Sequence, residues 1–130
     1  MEKVDIFEEL RRKLVYSMKV GSPFCINLNK TRPDLKNVWT DKEIFPFDEI
    51  CDFDEWRENS NYMKIVKEEE QKSVNELGIE SNFYEMKENH SIVFLAAYES
   101  DKDMLTLLKK IPESDMMQVL IIEPHVNVEA

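Results

Sequence analysis

A chain of 130 residues that is 42% hydrophobic, 34% charged and 10% aromatic, with only two Gly and five Pro, can bury one core. That composition excludes a disordered chain, a collagen-like chain and a disulfide scaffold. The formal charge of −10 opposes nucleic acid as a direct ligand, because phosphate contacts need cations, and suits docking onto a partner with a basic surface.

In chain order, residues 2–19 read as a helix. Phe7, Leu10, Leu14 and Met18 recur at spacings of three and four, and Gly21 offers a left-handed stop. Arg11, Arg12 and Lys13 lie mostly off that stripe, and Glu8 and Glu9 explain them as helix-surface ion pairs. Pro23–Leu28 reads as a buried strand, and Pro33 is placed to open a short helix carrying Leu35 and Trp39. Over 41–53, Phe45-Pro46-Phe47 breaks any regular element. Residues 54–77 are predicted as the longest helix, with Met63, Val66, Val74 and Leu77 at helical spacing and Gly78 at its end.

Asn82–Lys87 and Ser91–Tyr98 bracket Glu88-Asn89-His90, which is a β-hairpin pattern. Ile92–Tyr98 is apolar without alternation and predicts a central strand covered on both faces. Ser100 followed by Asp103 starts a helix through Met104, Leu105, Leu107, Leu108 and Ile111, closed by Pro112. Met117–Ile122 is predicted as a further strand, ended by Pro124. Strand, helix and strand in this last third predict a right-handed βαβ unit. The expected fold is a single α/β domain over 1–130, a small mixed sheet of about four strands with helices 2–19 and 54–77 on its faces.

Gly21 and Gly78 are the only glycines, so neither a P-loop nor a dinucleotide-binding turn can be built here. No cofactor is expected. Asp34 after Pro33, with Glu85-Met86-Lys87 on a predicted strand, matches the letters of a metal-dependent nuclease, in which carboxylates hold Mg²⁺ and the Lys steadies water or phosphate. The acid run Asp48, Glu49, Asp52, Asp54 and Glu55 lacks the Gly of a calcium loop and reads as a solvated helix-start face. His90 and His125 read as surface residues, and Cys25 and Cys51 as buried free thiols. The N-terminus has no signal-peptide pattern and no stretch is long enough to span a membrane, so the chain is expected to be cytoplasmic.

The reading that absorbs the acid run is a non-catalytic interaction domain. Phe47, Phe53 and Trp56 would anchor a partner protein, while Asp48, Asp52 and Asp54 steer it. The alternatives are a small immunity-type inhibitor that blocks a nucleic-acid enzyme through its acidic face, and the nuclease itself.

Two stretches carry a family resemblance. Tyr16–Leu28 followed by Arg32-Pro33-Asp34-Leu35, and the pairing of Ser91–Tyr98 with Met117–Pro124, resemble core strands of dynein-like modules of the AAA ATPase superfamily. The nucleotide-binding glycine loop is missing, no Walker-type acid is identifiable, and Asn27 stands where an acid is expected at the first strand's end. The resemblance therefore implies a degenerate or partial module acting as a scaffold, with no catalytic residue carried over.

Overall fold

The computed structural model describes residues 2–74, 76–81 and 83–121. The N-terminal periodicity is realised in helix α1, Lys3–Val20, which buries Phe7, Leu14, Val15 and Met18. Gly21 ends it with φ 78°, its N–H donating to the Ser17 carbonyl at 2.9 Å. A Cβ at Gly21 would stand 2.9 Å from Cβ of Lys87, so this position needs glycine for its backbone angle and for the chain crossing over it. That crossing is fixed by the Lys87 N–H on the Met18 carbonyl, at 2.8 Å.

Strand β1, Pro23–Asn29, follows at once. Three one-turn helices come next, α2 (Phe47–Ile50), α3 (Phe53–Trp56) and α4 (Asn59–Tyr62), then 3-10 turns over Met63–Ile65 and Glu68–Gln71. Strands β2 (Ser73–Val74) and β3 (Glu80–Ser81) form a minimal antiparallel pair. Strand β4, Ser91–Ala96, helix α5, Asp101–Lys110, and a 3-10 turn over Ser114–Met116 follow. Ser100 caps α5 through its hydroxyl, which accepts the Asp103 N–H at 3.3 Å, as its sequence position predicts.

Among the described residues the main sheet has two strands, not four. β1 and β4 pair in parallel from Pro23–Ser91 to Asn27–Leu95, with a shift before Asn29–Ala96. Its inner face, Phe24, Ile26 and Leu28 from β1 with Ile92 and Phe94 from β4, is covered by the segment that breaks regular structure. Phe45 and Phe47 bridge the strands in a chain of rings: Phe24–Phe45 at 6.2 Å, Phe45–Phe47 edge-on at 4.7 Å, Phe47–Phe94 at 6.4 Å. Among the described residues, the outer face is left open with Cys25, Val93 and Leu95 on it, so β4 is not covered on both faces and Cys25 is not buried.

Four other expectations are corrected. Pro33 opens no helix; Asp34 instead organises a turn, accepting the Lys36 and Asn37 N–H groups at 3.1 Å each. The 54–77 helix does not form. Glu58-Asn59-Ser60-Asn61 offers side-chain partners that compete with a helical backbone: Asn61 donates to the Glu55 carbonyl at 2.6 Å and Asn59 to the Tyr62 hydroxyl at 3.0 Å. The adjacent Ile65 and Val66 are also both buried, and the Ile65 carbonyl is taken by Arg11 rather than by a helical N–H. The hairpin is replaced by an irregular segment over 83–87, in which Tyr84 is buried and donates its hydroxyl to the Val15 carbonyl at 2.6 Å. Over 117–121 no strand forms, so the βαβ unit stays incomplete there; Ile122 and Pro124 lie outside the described residues.

On α1, Arg11 is not the solvated surface residue that its place off the apolar stripe suggests. It is 3% exposed and forks between elements. Its guanidinium donates to Glu8 at 2.6 Å, to Glu70 at 2.5 Å and to the Ile65 carbonyl at 2.8 Å, while Lys67 adds a 3.1 Å ion pair to Glu8. These bonds tie the 63–71 turns to α1. Hydrogen bonds from Arg11, outweighing burial and helped by Lys67, pull the Glu8 carboxyl down to about 2. No described helix is long and apolar enough to cross a membrane.

Arg11→Met should therefore cost roughly 3 kcal/mol, read as a lower urea midpoint, because it leaves the Ile65 carbonyl without its partner and Glu8 and Glu70 with Lys67 alone. Glu8's folded pKa lies below its unfolded value. Its contribution is then whole above about pH 4.5 and is lost as pH falls towards 2, an acid loss that Glu8→Gln should blunt.

Candidate functional site

The expected aromatic-acidic surface divides into two parts. Phe47, 3% exposed, and Trp56, 2% exposed, are core residues and do not present an anchoring face. The physical reason is the ring chain on the sheet, which takes Phe47 inward, and the one-turn helix α3, which points Trp56 the same way. Phe53 is 63% exposed, with the Arg57 guanidinium stacked 4.3 Å from its ring centre. Asp48 and Asp54 are exposed, and Asp52 is half-buried while capping α3, its carboxylate accepting the Glu55 N–H at 3.3 Å.

What joins Phe53 to the rest is a groove of about 660 Å³. Phe53, Trp56 and Arg57 form one wall, Met104, Leu107 and Leu108 of α5 another, and residues 116–121 a third. Along its length lie Ser91 to Ala96, inward-facing and outward-facing residues alike. A groove touched by every residue of a strand follows its edge rather than a face. Among the described residues that edge of β4 has no strand paired to it. β4 carries none of the devices that blunt a free edge: Ser-Ile-Val-Phe-Leu-Ala contains no charge and no proline.

The lining is soft as well as apolar. Met86, Met104, Met116 and Met117 all border it. Thioether side chains repack around different shapes, a property of surfaces that accept variable partners. Cys51 lies on the groove wall; burial pushes its thiol up to about 12, and the charges of Glu113 and Asp48 push in the same direction.

Two polar atoms of lining residues have no hydrogen-bond partner among the described residues, Nε1 of Trp56 and Nε2 of His90. His90 is buried, not the surface residue its turn position suggests. Its Nδ1 is 3.1 Å from the Ser22 carbonyl, which can only accept, so Nδ1 carries the hydrogen and Nε2 the lone pair. Arg57 caps the His90 carbonyl. Burial lowers the His90 pKa and the Arg57 charge adds to this, while the Ser22 hydrogen bond opposes them. Nothing in the sequence signals this burial, since His90 is fixed by contacts to Ser17 and Ser22, far away along the chain.

The other candidates are not assembled into a site. The Asp34 carboxylate is engaged in its own turn. Glu85 and Lys87 lie on the irregular 83–87 segment rather than on a strand. No cluster of three or more metal-ligating side chains occurs among the described residues, and His125 lies outside them. Comparison of the chain with protein-family models, curated proteins and solved structures gives no match.

Two outcomes separate core from surface here. Trp56→Ala should destabilise the fold by about 3–5 kcal/mol, whereas Phe53→Ala should cost about 1 kcal/mol or less, both read from chemical denaturation. His90 is held neutral, so its folded pKa lies below the unfolded value of 6.5. Stability should be flat above that pH and fall as pH drops below it, and His90→Asn should remove the slope between neutrality and the carboxylate range.

Proposed function

We propose that the protein is a non-catalytic interaction domain that takes an extended segment of a partner protein into the groove beside β4. The carrying observation is the unpaired, uncharged edge of β4 lying along an apolar groove. Strand addition supplies the backbone hydrogen bonds that such an edge lacks, and alternate side chains of the added strand enter the groove. The chain's net charge of −10, with Asp52 and Asp54 on either side of the groove-lining Phe53, selects a segment whose remaining side chains are basic. Phe53 offers exposed aromatic surface at the rim. The original pairing of anchors with steering acids is thus kept for Phe53 and the aspartates. Phe47 and Trp56 act only by supporting the wall.

The probe is a short peptide of alternating Lys and Val, titrated calorimetrically against the native chain. A block peptide of the same composition serves as the control. Alternating peptide should bind better than block peptide, and Leu95→Glu should weaken it by about tenfold or more. Phe53→Ala should weaken it less, and raising salt should lower affinity without abolishing it. Equal binding of the two peptides, or binding unchanged by both substitutions, overturns the groove as the site.

A further inference from the structure

Residues Met117–Ile121 are a described segment whose sequence and position disagree. Met-Gln-Val-Leu-Ile is apolar and branched, yet Leu120 is 82% exposed, and Val119 and Ile121 are exposed beside it. The segment leaves the 3-10 turn at Ser114–Met116 through Met117 in extended conformation. It then borders the same groove as the free edge of β4. It is one residue shorter than that strand, and the connection from β4 runs through α5, the arrangement that returns a strand parallel to the one before it.

We propose that Met117–Ile121 is a strap that closes the groove by pairing in parallel with the outer edge of β4, so that the chain's own segment competes with a partner for that edge. Three features of the structure bear on this. The edge and the strap are both unpaired among the described residues, so pairing supplies each with backbone partners and breaks no bond described between strands. Pairing also covers Val93 and Leu95 from the side, removing exposed apolar surface on both partners. The four methionines that line the groove let its walls close without a fixed shape to match. The regulatory meaning of the strap rests on the groove being the docking site; its closure does not.

Hydrogen exchange on the full chain reads closure directly. In a parallel pair, alternate amides of Ser91–Ala96 face β1 and the others face outward. A closing strap protects both sets, together with amides of 117–121, whereas a permanently open one leaves the outward set exchanging freely. Val119→Pro removes an N–H and blocks pairing at an exposed site, so it should speed exchange of the outward set by about tenfold or more and leave the β1-facing set unchanged. The same variant should bind the alternating Lys and Val peptide about tenfold more tightly, because no strap has to be displaced.

Free exchange of the outward amides in the native chain overturns the strap, whatever the variant does. If the peptide then binds native chain and variant equally, the groove remains the docking site without a strap. Protected outward amides with no peptide binding to either protein keep the strap and overturn the groove's role. Should Val119→Pro fail to fold, the native exchange pattern alone decides closure.

Discussion

The inner face of a two-stranded sheet must be covered, and here Phe45-Pro46-Phe47 covers it. The edge-on contact of Phe45 with Phe47 and their reach to Phe24 and Phe94 hold β1 and β4 against one plug. Much follows from that one contact. Pro46 turns the chain so that α2 and α3 begin at the sheet, which carries Ile50 and Trp56 inward and leaves Phe53 outward. The same placement sets α3 as a wall alongside the unpaired edge of β4. A segment that sequence patterning reads only as a break is the keystone of the core.

Local signals were legible where a single element satisfies itself. The stripe of α1, the Gly21 stop, the strand after Pro23 and the Ser100 cap of α5 all depend on neighbours within a few residues. The rest depends on distant partners. Residues 54–77 have helical spacing on paper, but the Arg11 side chain captures the Ile65 carbonyl and Glu70 from across the chain. Ser91–Ala96 reads as half of a hairpin because a polar turn precedes it, yet its partner is β1. Phe47, Phe53 and Trp56 look alike as letters, and only the plug separates two core residues from one at the surface. At the candidate site, the acids and Phe53 could be singled out from sequence, while the groove, the methionine lining and the burial of His90 could not.

Charge is distributed by the fold in a way that composition conceals. The buried cation Arg11 and its two carboxylates are an internal tie, and Lys67 joins it, so these groups are turned towards each other rather than towards solvent. Asp52 and Asp54 instead flank the groove-lining Phe53, Asp52 capping its helix.

The parallel pairing of β1 with β4 also has a cost in time. The two strands are separated by roughly sixty residues, so the sheet closes a long loop before its contacts repay the lost chain entropy. The intervening one-turn helices are too short to persist alone, and α1 is the one long element able to form early. During that interval the uncharged strands wait unpaired. The speed with which Phe45 and Phe47 find both of them then sets how long this chain is open to association with its own copies before it is folded.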